Sequence, residues 1–464
     1  MAILPISATV VLLLSFLAAG VMGQKRRGDF FLAGRKSGFL RVGTSLLATC
    51  LGGSAVFGVA TRAYERGWSA FWWLAAGGIG LALLGLAWSS VIRHNPETRT
   101  LPGWLGDTYG NAPRLTAALL IAVMWVGVIA AQLVAAGSVI GSLTSIPLSV
   151  GILIVAIFTV SYVVIGGQDS VLRTDIIQLA MLSGALVLTV VFLFLKIPSS
   201  DIALAMPQAV DFSLPPYQLT ALIIVVGGMY IVGPDMCSRV LVAKDDRSAR
   251  LGALTAAVGL VIISLVITFL GVAVTSAGIP APEQPSRALP SLVQHVLPST
   301  FALVVNLGFL AALLSSADTC LLTAGSVLEL DFLATIRKHS RGEAMYTRII
   351  LPMVMLPAVL LAVFNPRIIG NIMLSYSVFA GGLLCPLILL RFPNIAGRIR
   401  RPVLWSAILA GGVIPPFLIL SDVVTIEDFT LRMATAGTVG VIICLAIIIG
   451  GTAITKIYQD GKKA

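Results

Sequence analysis

Five consecutive residues in a long apolar run, Ser315-Ser316-Ala317-Asp318-Thr319, carry four oxygen-bearing side chains, with Ala311-Ala312-Leu313-Leu314 before them and Cys320-Leu321-Leu322 after. A carboxylate in such a stretch is expensive unless it meets a partner, an ion or a cavity. Several oxygens with no sulfur or imidazole among them suit a hard cation such as sodium. The plainer alternative is that the serines bond back onto their own helix. A second carboxylate, Asp175 in Gly166-Gly167-Gln168-Asp169-Ser170-Val171-Leu172-Arg173-Thr174-Asp175, opens another apolar run. There it either serves the dipole of a first helical turn or marks a route for an ion. A third, Asp235 beside Pro234, stands four residues before Arg239 and is expected to pair with it.

Enzyme chemistry finds no footing in the sequence. His94, His295 and His339 fall in predicted loops, and neither HExxH, CxxC, a nucleophile elbow nor a phosphate-binding Gly-Lys loop occurs. Cys50, Cys237, Cys320, Cys385 and Cys444 all sit in apolar runs and read as buried thiols.

The elements that must position these residues are membrane helices. Of 464 residues 58% are hydrophobic and 11% charged, and the mean hydropathy is +1.00, which excludes a soluble globular domain. The net charge of +11 reads as an orientation signal and not as a nucleic-acid surface. Apolar runs long enough to cross a hydrocarbon core of about 30 Å recur throughout, without the period-two alternation of barrel strands. Thirteen spans are predicted: 3–23, 38–64, 68–92, 115–143, 147–166, 175–196, 218–241, 251–278, 301–327, 345–364, 370–391, 402–420 and 432–455. With the basic segment after the first span assigned to the cytoplasm, only Arg62, Arg66, Lys196, Arg287, Arg367 and Arg432 of the 31 Lys and Arg residues lie outside. That asymmetry puts the N-terminus outside and the C-terminus inside. The first span has no basic residue before it and Lys25-Arg26-Arg27 after it, so it reads as a retained helix. No soluble domain is predicted, and the Pro-containing segments 197–217 and 279–300 read as short caps on the outer side.

Two spans contain helix-weakening pairs. The second carries Gly52-Gly53, and the seventh carries Gly227-Gly228 and then Gly233-Pro234. The seventh comes five helices after the second, so two five-helix units would run in opposite directions, each opening on an interrupted helix. Unwound backbone at the midplane offers carbonyls to a cation and amides to a substrate. A single glycine pair in a membrane helix more often serves close packing.

Several stretches make the chain resemble the sodium/solute symporter family, which includes sodium-coupled proline, pantothenate, sialic acid and sugar transporters. They are Phe30-Phe31-Leu32-Ala33-Gly34-Arg35, SLLATCLGGSAVFG from Ser45 to Gly58, GGQDSVLRTDIIQ from Gly166 to Gln178, CSRVLVAKD from Cys237 to Asp245, and SSADTCLLTAGSVLELD from Ser315 to Asp331. The resemblance implies an all-α, leucine-transporter-like single transmembrane domain over 1–464. An extra helix at 3–23 would precede repeats at 38–196 and 218–391, with two further helices at 402–455. It also implies a main sodium site made by the carbonyls of Ala48, Leu51 and Ala312 and the hydroxyls of Ser315 and Ser316. A second cation site, present in some members, would fall on Asp175, Ser315, Asp318 and Thr319. Asp318 departs from the hydroxyl usual at its position, and would strengthen such a site or make it titratable. Substrate-contacting positions of relatives correspond to Gly52, Gly53, Ser54, Ala55 and Leu74, to Trp125 and Gln132, and to Met229 and Tyr230. Trp125 and Gln132 could equally serve helix packing alone. So few polar groups suit a small solute better than a sugar, whose unmatched hydroxyls would cost desolvation.

The expected function is sodium-coupled symport of an amino acid or monocarboxylate by alternating access, in the cytoplasmic membrane of a bacterium. The expected partners are sodium, the solute and the bilayer, with no organic cofactor, transition metal or nucleic acid. Two alternatives stand beside it. One is a proton-coupled carrier with Asp318 titrating, and the other is a receptor that transports nothing.

Overall fold

A computed structural model describes residues 3–24, 35–93, 100–197, 212–276, 279, 287–337, 344–366, 368–421 and 429–460. Phe30 to Gly34, the first five residues of one family-like stretch, lie outside them. Among the described residues the structure is helical, with one isolated bridge between Ser37 and Ala243. Eleven helices are long and apolar enough to cross a membrane. Their outer faces remain apolar, as at Val123, Leu195 and Phe364, which are 69%, 75% and 82% exposed. In a bilayer such faces lie against lipid tails, while the interior packs large apolar side chains such as Leu46, Trp125, Phe309 and Phe379 together with small and polar residues.

The order runs α1 (Ile3–Gln24), α2 (Phe39–Cys50), a π turn (Ser54–Gly58) leading into α3 (Val59–Arg66), and α4 (Trp72–Leu83), which continues to Arg93. Then come α5 (Leu101–Tyr109), α6 (Asn111–Thr144) and α7 (Leu148–Lys196). Next are α8 (Pro216–Leu222), a π turn (Ile223–Gly227), α9 (Gly228–Val232) and α10 (Pro234–Leu241). The remainder is α11 (Asp246–Ser276), α12 (Ala288–Val296), α13 (Ser299–Val327), α14 (Ala344–Phe364), α15 (Ile368–Leu389), α16 (Arg401–Leu420) and α17 (Phe429–Asp460). The short helix α12 falls within one predicted cap. Helix α5, capped by the Thr100 hydroxyl accepting from the Gly103 amide at 3.2 Å, falls within a predicted loop. Its apolar residues Leu101, Trp104 and Leu105 are buried.

Segments assigned by charge to one side touch each other. The Ser37 amide donates to the Val242 carbonyl at 3.0 Å and the Lys244 amide to the Ser37 carbonyl at 2.9 Å, and Arg93 reaches Asp246 at 2.8 Å. On the opposite end Trp72 donates its indole N–H to the Phe212 carbonyl at 2.8 Å. The predicted turn at 167–174 needs correction. Only Gly167 leaves helical geometry, at φ 58° and ψ −150°, and the helix resumes at once. A conformation that only glycine adopts without strain kinks the chain in one residue. Asp175 therefore lies two turns inside a helix, and the first-turn reading of its carboxylate is withdrawn.

The two interruptions are local and have different causes. α2 has 12 residues, about 18 Å at 1.5 Å per residue, little more than half the hydrocarbon thickness. At Leu51 the backbone turns to φ −99°, ψ 46°, and the helix restarts beyond Gly53. In the second half the break is at Gly233, extended at φ −63°, ψ 137°. Pro234 has no N–H, and its ring excludes a helical carbonyl four residues back. The expected break at Gly227-Gly228 is not there, since both residues are helical, at φ −59° and −57°. This pair packs instead. A Cβ on Gly80 would fall 2.2 Å from the Gly227 carbonyl oxygen, and one on Gly228 would fall 2.8 Å from Leu384.

Candidate functional site

The broken end of α2 exposes backbone groups that the rest of the site must satisfy. The Leu51 amide turns back to the Ala48 carbonyl at 3.1 Å, and the Gly52 carbonyl accepts from Ala55 and Val56 at 3.0 Å each. The Gly53 amide, which a continuous helix would have used internally, donates to Gln132 Oε1 at 2.7 Å. The Thr49 carbonyl accepts from the Ser316 hydroxyl at 3.3 Å. Gly52 is glycine for want of room: a Cβ there would sit 2.5 Å from Ser316 Oγ and 2.8 Å from Gln132 Nε2. Gln132 on α6 and Ser316 on α13 thus clamp the break from two sides.

One residue before Ser316, the Ser315 hydroxyl donates to Asp175 Oδ1 at 2.7 Å. The other carboxylate oxygen of Asp175 accepts from Ser45 at 2.5 Å and faces an Arg239 guanidinium nitrogen at 3.4 Å. Arg239, on α10, is wholly buried. Its Nε reaches Ser45 Oγ at 3.1 Å and its Nη2 reaches Thr319 Oγ1 at 2.6 Å. Asp318 receives the Tyr162 hydroxyl on one oxygen and the Thr319 hydroxyl at 3.2 Å on the other. Asp175, Ser315, Asp318 and Thr319, the residues of the second cation position, are brought together, but a resident guanidinium stands among them. With both carboxylates ionised the cluster carries one net negative charge, next to Ser315 and so next to the break.

The expected pairing of Asp235 with Arg239 is not formed. The guanidinium turns toward Asp175 and Thr319, where hydroxyl and carboxylate acceptors converge from three helices. Asp235 is left 6% exposed, with its Oδ1 lacking any donor. Arg239, Ser45 and Tyr162 are the site residues that sequence reasoning missed. An arginine four residues after an acid looks self-explanatory, and only the meeting of α10 with α2, α7 and α13 reveals its other partners.

The proposed substrate positions are gathered less tightly. Leu74, Ala55, Trp125, Met229 and Tyr230 are all buried, at 0–5% exposure. Tyr230 lies against Gly77, its Cζ 3.1 Å from where a Cβ would stand. Trp125, two helical turns before Gln132 on α6, has an indole N–H without a partner. The Ser54 side chain lies outside the described residues. Between the second break and α13 a pocket opens toward α5, with Thr100, Gln168, Ser238, Thr323 and Ser326 in its polar lining.

The family model for sodium:solute symporters matches residues 30–392. The chain belongs to the sodium:solute symporter family. Within this family it is 26% identical over 441 residues to the sodium/pantothenate symporter of Escherichia coli (strain K12), covering 89% of each chain. It is 26% identical over 330 residues to the high affinity choline transporter 1 of Homo sapiens, covering 66% of this chain and 56% of that one. With the sodium/iodide cotransporter of Homo sapiens the figures are 28% over 257 residues, 52% and 39%. The chain thus spans only about half the length of the choline transporters it matches. A sodium-coupled sialic acid symporter in a substrate-bound outward-open state superposes with a TM-score of 0.82 at 18% identity, over 97% of both chains. MhsT in complex with L-phenylalanine gives 0.53 at 15%, over 89% and 98%. These likenesses establish the all-α, leucine-transporter-like fold of this symporter-family chain.

Proposed function

We propose that this chain is a secondary transporter that couples inward sodium movement to uptake of a small organic solute by alternating access. The observation that carries the reading is the docking of the broken α2 end on the Ser315-Ser316 pair, with Ser315 held by Asp175. Sodium would take the carbonyls of Ala48, Leu51 and Ala312 and the hydroxyls of Ser315 and Ser316. The donor chemistry fits, for all five are oxygens, and Ser315 gives its proton to Asp175, leaving its lone pairs for a cation. The Thr49 carbonyl that Ser316 engages marks the same end of α2. With both carboxylates ionised, the cluster's net negative charge would be neutralised by one sodium ion, and Arg239 stands among the residues of the second cation position. One sodium per cycle is the resulting stoichiometry.

Sodium bound here would tie α2 to α13 and raise the population of the state that accepts solute at the two breaks, at Gly52 and Gly233. The two halves, 38–196 and 218–391, would then rock, and the polar pocket at Gln168, Ser238, Thr323 and Ser326 would lead ion and solute out. With the N-terminus outside and that pocket facing the cytoplasm, each charge moved through 100 mV contributes about 2.3 kcal/mol. The setting is the cytoplasmic membrane of a bacterial cell.

Thermal unfolding of the purified protein in sodium against potassium tests the ion site. Sodium should stabilise the wild type, and Ser316→Ala should abolish that shift while the melting point in potassium stays close to the wild-type value. A sodium shift of equal size in Ser316→Ala refutes the assignment.

A further inference from the structure

Asp235 is a buried carboxylate that the ion site does not use. It lies immediately after the second break, and the neighbouring Met236 sulfur is 3.9 Å from the sulfur of Cys50, the last residue of α2. The ends of both broken helices therefore meet at this point. Around Asp235 stand Tyr230 from α9, Tyr376 from α15, Cys50, and Cys320 from α13. The Met236 amide and the amide of Asp235 itself face its carboxylate, as befits a first helical turn, but Oδ1 is left buried without a hydrogen-bond partner. Arg239, the cation nearest in sequence, is committed to Asp175, Ser45 and Thr319.

The charge of Arg239 acts on Asp235 from a distance without a contact, and a buried carboxylate oxygen without a donor is costly. It persists where something absent from the free protein supplies the positive charge. Tyrosine rings near a carboxylate suit a cationic nitrogen, which gains from the ring quadrupole as well as from the charge. A solute with only a carboxylate would be repelled by Asp235 and would leave Oδ1 as it is.

Building on the symport reading, we propose that Asp235 is the counter-ion for a positively charged nitrogen on the transported solute, held between the two helix breaks with Tyr230 and Tyr376 flanking it. Ammonium-bearing solutes, whether zwitterionic amino acids or quaternary amines, fit this site. Of the two expected substrate classes it retains amino acids and rejects simple monocarboxylates.

The test uses the full chain in proteoliposomes and in detergent, with L-proline, glycine betaine and choline as charged probes. Propionate and 3,3-dimethylbutan-1-ol, the uncharged isostere of choline, serve as controls. At least one charged probe should be taken up with sodium and should raise the melting temperature only when sodium is present. Neither control should do so. Asp235→Asn should weaken the apparent affinity for that probe at least about tenfold, the 1.4 kcal/mol expected when a charged partner is lost. Asp235→Glu, which keeps the charge, should retain measurable uptake. A sodium-only stabilisation in each variant reports that it has folded. The proposal is overturned if a control binds as well as the charged probes, if Asp235→Asn keeps its affinity, or if no charged probe is taken up. Binding of a charged probe that needs Asp235 but ignores sodium would instead overturn the symport reading and leave the role of Asp235 standing.

Discussion

Adding one methyl group at Gly52 tests the ion site without removing any of its ligands. A Cβ at this position would lie 2.5 Å from Ser316 Oγ and 2.8 Å from both Ser316 Cβ and Gln132 Nε2. None of these separations is tolerable between unbonded atoms, so Gly52→Ala must push α13 or Gln132 away from the break. Overpacking of this kind costs about 1–3 kcal/mol. Because the displaced atom is a proposed sodium ligand, the cost falls mainly on the bound state. The sodium midpoint should therefore rise by roughly 5- to 150-fold, at 1.4 kcal/mol per factor of ten. The assay is a sodium titration of thermal stability at constant ionic strength, with potassium as the balancing ion. Gly184→Ala is the matched control, since a Cβ there meets nothing within 4 Å. It should leave the midpoint unchanged and, as glycine in a helix interior disfavours the helix, stabilise the protein by up to about 1 kcal/mol. A Gly52→Ala midpoint within about twofold of wild type would refute both the steric reasoning and the placement of the ion, since the estimate starts at roughly fivefold.

Two further outcomes follow from the same network and from its periphery. Arg239→Met removes the only guanidinium from a fully buried carboxylate and should destabilise the protein by about 3–5 kcal/mol, with a large part recovered in the double variant Arg239→Met/Asp175→Asn. Denaturation curves that show no recovery would mean the two residues act independently. At the start of α11 the exposed Asp245 accepts from the Ser248 amide at 2.6 Å, and its bonds to the Ser248 side chain and backbone hold its carboxyl below the usual range. Its contribution is present above the ordinary carboxylate range and disappears as pH falls through the lowered native value. Melting temperatures of wild type and Asp245→Asn should therefore differ at neutral pH and converge in acid.

Helix existence and order were legible in the sequence, because in a bilayer every backbone polar group must be satisfied within its own helix. A run of apolar residues then has one outcome, and its length is written in the chain. The Gly52-Gly53 interruption was legible for a related reason: two residues without side chains in mid-membrane leave room for something to approach. The Gly227-Gly228 pair carried the same signal and meant the opposite. Glycine permits both a break and a close helix crossing, and here the neighbours Ala76, Gly80 and Leu384 decided in favour of the crossing. Gly233 broke the helix because proline follows it, a covalent constraint that needs no neighbour.

Composition and periodicity determined that this chain would be a bundle of membrane helices, and the residue types themselves placed oxygen-bearing side chains on α13 and a glycine interruption after α2. Only the tertiary structure decided which carboxylate receives the arginine. Arg239 passes over Asp235, four residues away, for Asp175, which is 64 residues distant along the chain. The reason is that a buried guanidinium needs several acceptors arranged in its own plane. Ser45, Asp175 and Thr319 supply them from three separate helices, and nothing local in the sequence can show that those helices meet.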